Sequence, residues 1–402
     1  MAMFVVIVLD GFGVGAMDDV SRVRPADVGA NTCAHIFEAV PGLRLPALEA
    51  LGLGNAARVN SQALAPSPTA TWGRSRLAHF WADTFFGHQE IMGTRPRVPF
   101  GEPIRAHVDA IVDALRSDGW DARAHEVDDD HRIVVVNEAV TVADNVECDP
   151  GQAFNVTAAI DDIPFEDELR IGRVVRGLAR VPRVITFGGR GVHLPDLLAA
   201  VEVHGDYVGV NAPASGVYDR DYHCVHMGYG VDERVQVPYL LGEAGVDVHL
   251  LGKVADVCAN RFGESESIVD TAQVLERTLE LVREHRPGFV CTNVQETDLA
   301  GHGEDSERYA DRLRVADGYI GRIVGELAPE DVLVVMADHG NDPTCGHPHH
   351  TRECVPLLVS HAGAPAGFIG ERSTLADVGA TVAAFFGAKA PESGTSFLGQ
   401  LG

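Results

Sequence analysis

Short apolar runs recur along the chain, and several of them end on an aspartate. Phe4-Val5-Val6-Ile7-Val8-Leu9 runs into Asp10, and Val332-Leu333-Val334-Val335-Met336 runs into Ala337-Asp338-His339. Gly288-Phe289-Val290-Cys291-Thr292 precedes Asp298 by a few residues, and Val355 to Val359 forms a further run. Runs of this length read as buried strands. Between them lie segments of helical period. From 305 to 327, Tyr309, Leu313, Ala316, Ile320, Ile323 and Leu327 share one face. Val274, Leu275, Thr278, Leu281 and Val282 line a second helix, closed by Arg286-Pro287-Gly288. A last helix is predicted over Thr374 to Phe386, ahead of Gly387. Alternation of this kind predicts an α/β fold of βαβ units around a mostly parallel sheet flanked by helices.

The middle of the chain has a different character. A linker-like stretch, Gly93-Thr94-Arg95-Pro96-Arg97-Val98-Pro99, leads into an amphipathic segment from Pro103 to Leu115. Strands are then expected at Ile133–Val136, Val184–Phe187 and Tyr207–Val210, with a helix at Leu197–Val203. This block reads as a small inserted α/β cap domain spanning residues 98–222. The core is then discontinuous, comprising residues 1–97 and 223–402.

The chemistry is concentrated where the core strands end. Asp10-Gly11-Phe12-Gly13, Asp298-Leu299-Ala300-Gly301-His302 and Ala337-Asp338-His339-Gly340-Asn341-Asp342-Pro343 each follow an apolar run, and His350-Thr351-Arg352-Glu353 follows the last. Open α/β sheets place their sites at strand C-termini. Carboxylate and imidazole together suit zinc or manganese. Asp83-Thr84-Phe85-Phe86-Gly87-His88 adds one hydroxyl in an aromatic setting. Three aspartates, three histidines and a threonine suit two divalent ions flanking an alcohol nucleophile, an arrangement for in-line phosphoryl displacement. His347 and His349 crowd His350, so a neighbour could take its place, and Cys345 is either a soft ligand or a free loop cysteine. Asp83 reads as a turn or cap residue.

In the order of these residues the chain resembles the alkaline phosphatase superfamily and, within it, the phosphopentomutases. The likeness extends to Asp27-Val28-Gly29-Ala30-Asn31-Thr32, Leu45-Pro46-Ala47-Leu48, Leu251-Gly252-Lys253-Val254-Ala255-Asp256 and Gly394-Thr395-Ser396-Phe397. The resemblance implies an alkaline-phosphatase-like core with an inserted cap. It implies that Thr84 is the phosphorylated nucleophile. One metal would be bound by Asp10, Asp338 and His339 and the other by Asp298, His302 and His350, with Thr84 between them. Lys253 and the cap residue Arg173 match family cations that receive phosphate. His88 and Glu90 belong to a Gly-His-x-Glu run that supports the nucleophile loop. The implied cofactors are two divalent ions, manganese first, with zinc or magnesium as alternatives. The implied reaction interconverts a sugar 1-phosphate and 5-phosphate, of ribose, deoxyribose or a related small phosphate, through phosphothreonine. The alternative is a metal-dependent phosphatase or phosphodiesterase of the same superfamily.

Four departures surround the nucleophile and its metals. Trp81-Ala82 stands where the family has Gly-Lys, Phe86 replaces a hydroxyl residue, and Gln89 replaces a tryptophan. Asp298 lies four residues before His302, where the family commonly has five. In the cap, Ala159 replaces the substrate-contacting histidine at the end of the run from Cys148, and a basic family motif survives only as Asp219-Arg220-Asp221-Tyr222.

Composition narrows the partners. A formal net charge of -26 over 402 residues argues against sequence-independent binding to nucleic acid or anionic membrane. Phosphate binding then needs local cations, which metals provide. Seven scattered cysteines without a Cys-x-x-Cys pair suit a reducing compartment. The apolar N-terminus is too short to span a bilayer and lacks a basic lead-in. The expectation is a cytoplasmic enzyme acting on a small phosphorylated sugar.

Overall fold

The computed structural model describes residues 2–57, 64–147 and 151–402, which form two compact units. The first comprises Met1–Pro96 and Asp232–Gly402, and the second Arg97–Val231.

An eight-stranded sheet organises the first unit. Its spatial order is Glu264–Glu266, Asp247–Leu251, Gly288–Val294, Met3–Leu9, Val332–Met336, Val355–Ser360, Thr71–Ser75 and Gly367–Arg372. The first five strands are mutually parallel, and Val355–Ser360 runs antiparallel to both its neighbours. All seven residues of Met3–Leu9 are buried, as befits a central strand covered on both faces. Helices Thr271–Arg283 and Ser306–Glu326 pack on each other and on the sheet, through Leu275, Leu279, Leu313 and Ile320 among others. This is the mixed α/β architecture expected of the core.

Strand register decides where the chemistry lies. Leu9 pairs with Val294 and Val8 with Met336, so three neighbouring parallel strands end nearly level. Asp10, Asn293 and Asp338 therefore collect along one edge of the sheet. Thr84 opens the helix Thr84–Ile91, and Asp83 caps it by accepting the Phe86 N–H at 3.0 Å.

The second unit is built on a six-stranded sheet in the order His223–Gly228, Arg183–Gly189, Ala153–Ala159, Val140–Asp144, Arg132–Val136 and Ala122–Glu126. Helices Val108–Ser117 and Phe165–Leu178 pack with the cluster containing Phe154, Val156 and Ala158. Two readings of this block need correction. The strand His223–Gly228 pairs with Arg183–Gly189, so the unit closes at Val231 and not at residue 222. Leu197–Val203 is not one helix: Leu194–Ala199 is helical, and Val201–His204 then pairs with Tyr207–Val210. Gly205, at φ 63°, makes the tight turn that favours this hairpin over further helix. Of the run from Cys148 to Ala159, residues 148–150 lie outside the described residues, and Ala153–Ala159 is a fully buried strand.

Gly87 marks where the nucleophile helix meets the sheet edge. A Cβ there would lie 2.8 Å from both the Cβ and the carbonyl oxygen of Asp338. Alanine would gain about 0.5–1 kcal/mol of helix propensity but overpack the contact by about 1–3 kcal/mol. The packing term wins. Gly87→Ala should lower unfolding stability by about 1–2 kcal/mol in chemical denaturation, and an unchanged midpoint would show that the contact yields freely.

Candidate metal centre

Each expected ligand comes from the end of an element. Asp10 follows the central strand, where Gly11 turns at φ 74°. Asp298 and His302 lie four apart on the helix Glu296–His302, a spacing that puts both on one face. Asp338 and His339 follow Val332–Met336, and the chain returns through the bridge between Gly340 and Thr351 to bring His350 back.

These residues converge. The Thr84 Oγ1 lies 2.7 Å from His339 Nε2 and 3.4 Å from Asp10 Oδ1. His339 Nε2 is 3.4 Å from both Asp10 Oδ1 and Asp338 Oδ2. Asp298 meets His302 Nε2 and His350 Nε2 at 3.3 Å each. Two donor sets result: Asp10, Asp338 and His339; and Asp298, His339 and His350, with donor atoms in each lying within 4.8 Å of one another. His339 belongs to both, and His302 joins the second through its contacts with Asp298 and His350.

Imidazole orientation shows that the donor set fits cations. His339 Nδ1 is 3.0 Å from the Gly340 carbonyl, His350 Nδ1 is 3.1 Å from that of Ala82, and His302 Nδ1 is 2.6 Å from that of Pro348. A carbonyl only accepts, so each Nδ1 carries the hydrogen. In the neutral rings every Nε2 lone pair then faces inward, which is how ligating histidines are held. His302 and His350 point these atoms at each other across 3.0 Å. Two lone pairs cannot satisfy one another; a cation can satisfy both.

Electrostatics leads to the same conclusion. Asp10, Asp298 and Asp338 are all buried. Burial, reinforced by Asp338 and Asp298, pushes the Asp10 carboxyl up to about 6. His339 is driven up to about 10: burial opposes this, but the carboxylates of Asp338, Asp10 and Asp298 prevail. Without cations, histidine protons compensate the carboxylates.

The other expected residues are not members of these sets. Lys253 is half-buried at the first position of helix Lys253–Val257, and Arg173 is exposed on Phe165–Leu178 in the second unit. His347 Nε2 faces Asp27 Oδ1 at 3.4 Å, and His349 is exposed. Burial and the nearby Asp342 push the Cys345 thiol up to about 12. Among the described residues neither donor set includes any of these three.

Several buried polar residues escaped sequence reasoning. Thr297 Oγ1 donates to the Asp10 carbonyl at 2.7 Å, and Asn341 Nδ2 donates to Asp298 Oδ1 at 2.8 Å. Asn293 Nδ2 donates to Asp10 Oδ2 at 3.0 Å. The available signal was an amide or hydroxyl inside, or just beyond, a buried apolar strand.

Residues 2–390 match the family model of the metalloenzyme superfamily. A phosphopentomutase of Desulfitobacterium hafniense is 31% identical over 425 residues, covering 100% of both chains. One of Anaeromyxobacter dehalogenans is 33% identical, covering 99% of this chain and 98% of its own, and one of Deinococcus radiodurans is 32% identical, covering 98% and 99%. The chain belongs to the phosphopentomutase family. It is accordingly a metal-binding enzyme, an intramolecular phosphotransferase of the isomerase class. Among the described residues no helix is long and apolar enough to cross a membrane.

Phosphopentomutase family membership with this histidine geometry gives two expectations. A histidine whose folded pKa is raised stabilises the fold below its ordinary value of 6.5 and loses that contribution as pH rises through about 10. Glu168, raised to about 9 by burial, titrates in the same window, so metal-free and manganese-loaded protein must be compared. The stability gap between them should widen from pH 7 to pH 10, and binding at pH 8 should release protons in calorimetry across buffers. A gap independent of pH would show that His339 carries no displaceable proton. His350→Ala should weaken manganese binding at least tenfold more than His347→Ala or His349→Ala in metal titrations; greater sensitivity at His349 would move the assignment by one residue.

Proposed function

We propose that this enzyme interconverts the 1-phosphate and 5-phosphate of ribose, deoxyribose or a related small sugar through phospho-Thr84. The observation that carries the reading is the Thr84 hydroxyl, 2.7 Å from His339 Nε2, the histidine shared by both donor sets. Asp10, Asp338 and His339 would hold one divalent ion and Asp298, His302 and His350 the other. Manganese suits these mixed carboxylate and imidazole donors. Bound, the ions would activate the threonine alcohol and stabilise charge on the transferring oxygens.

The chain's own residues define the remaining steps. Phospho-Thr84 gives its phosphoryl group to a sugar hydroxyl: the bond from phosphorus to Thr84 Oγ1 breaks, one to the sugar oxygen forms, and the proton that the sugar hydroxyl gives up is balanced by one taken up at Thr84 Oγ1. The bisphosphate turns over, and Thr84 Oγ1 takes the other phosphoryl group. Thr84 opens a helix, where backbone N–H groups favour a phosphate. Lys253 and Arg173 are assigned to substrate phosphate. Cys33, Cys224, Cys258, Cys291, Cys345 and Cys354 are free thiols, which supports a reducing, cytoplasmic setting.

Ala159, buried in place of the family histidine, gives hydrolysis its claim as the second reading. The two separate on one measurement. After priming with ribose 1,5-bisphosphate, intact mass should show one phosphoryl group, mapped by fragmentation to Thr84. Isomer should then form without net release of inorganic phosphate. Stoichiometric phosphate release with no isomer would establish the hydrolase. Thr84→Ala should lose at least a thousandfold in turnover, the scale on which removing a covalent nucleophile is felt; full activity in that variant would defeat both readings.

A further inference from the structure

Asn293 and His88 form a linkage that the metal sets do not include. Both are fully buried. Asn293 lies on the strand Gly288–Val294, level with Val8 of the central strand. Its Nδ2 is 3.0 Å from Asp10 Oδ2 and 3.1 Å from His88 Nε2. On its other side, His88 Nδ1 lies 2.9 Å from the Thr84 carbonyl and 3.2 Å from Asp338 Oδ2.

Hydrogen-bond chemistry fixes every orientation in this chain of contacts. Asp10 accepts, so the Asn293 amide must turn its NH2 group toward it; the flipped amide would set oxygen against oxygen. The second amide hydrogen then meets His88 Nε2, which must be an acceptor. His88 is therefore the tautomer with hydrogen on Nδ1, the form that can donate to the Thr84 carbonyl. Asn293 Oδ1, buried without a hydrogen-bond partner, is the cost of using both hydrogens in this way.

We propose that Asn293, acting through His88, is a positioning residue for phosphoryl transfer, holding the nucleophile helix in register with Asp10. The inference rests on the proposed role of Thr84. One amide nitrogen spans the two elements whose relative placement sets the path from Oγ1 to the metal seat. A mismatch of about 1 Å at such a point costs on the order of a hundredfold in rate. Glutamine at position 88 would restore both a donor and an acceptor, whereas alanine would restore neither.

The test uses full-length enzyme saturated with manganese. Asn293→Leu keeps the bulk of the side chain and removes both donors. It should lower kcat for ribose phosphate isomerisation about a hundredfold, with KM and manganese content unchanged. His88→Ala should behave alike and His88→Gln should recover to within about tenfold. Independently of substrate, 15N spectra should show His88 as the Nδ1–H tautomer in the parent and a shifted Nε2 resonance in Asn293→Leu, from loss of the amide hydrogen bond. Should that variant fail to fold, the two His88 variants decide by whether Gln rescues the rate. The inference is overturned if kcat stays within threefold, if excess manganese restores it, or if the ring signals do not change. Absence of turnover on every sugar phosphate in the parent would sink the mutase reading alone, and the ring signals would still decide this one.

Discussion

The structure turns on three buried aspartates, two directly after neighbouring strands and one on the short helix that follows a third. Asp10, Asp298 and Asp338 could not share so small a space as carboxylates without positive charge among them. Burial and its neighbours push Asp10 up to about 6, whereas imidazoles hold Asp298 and Asp338 below the ordinary carboxylate range against the same burial. The sheet imposes this crowding, since parallel register makes the three strands end level. The histidines answer it with a ring nitrogen whose charge can be exchanged for that of a cation.

Other buried carboxylates nearby have a different task, and their partners tell the two kinds apart. Glu353 accepts from the Gly15 and Thr32 N–H groups and from the hydroxyls of Thr32 and Thr351. Glu90 accepts from the N–H groups of Ala78, His79 and Leu375, from the Thr374 hydroxyl and from His79 Nδ1. Their oxygens are used by fixed donors, so each is a clamp. Glu353 ties the loop bearing His350 to the segment Asp27 to Thr32, and Arg24 Nη2 adds a bond to the His350 carbonyl at 2.9 Å. Asp10, Asp298 and Asp338 each keep a fixed donor, in Asn293, Asn341 and the Gly11 N–H, but also present an oxygen to an imidazole Nε2, where the partner can be replaced.

The sequence made the site more legible than the scaffold around it. Runs such as Val332 to Met336 announce a strand, and an aspartate at the end of each announces the edge. Strand direction is not written locally: Val355–Ser360 looks like its neighbours in composition yet runs antiparallel, because hydrogen bonds to Thr71–Ser75 and Val332–Met336 decide its sense. Ala122–Glu126 lacks an apolar run because it is a half-exposed sheet edge. Asn293 stayed hidden because its partners lie over 200 positions away in sequence. His88 was visible as part of a motif, but its link to Asp10 appears only through the amide beside it.

Local geometry also accounts for the departure at Asp298 and His302. On a helix, residues four apart rise through about one turn and face the same way. Asp298 lies in the first turn of Glu296–His302 and His302 in the last, with Oδ2 and Nε2 3.3 Å apart. Asp298 is held by Asn341, and His302 by the Pro348 carbonyl of the loop that also carries His350. The loop thus orients two histidines at once, one directly and one through its backbone. That coupling keeps the second donor set whole with its aspartate and histidine four positions apart, and it makes the backbone of the His347–His350 segment part of the site although the His347 and His349 side chains are not.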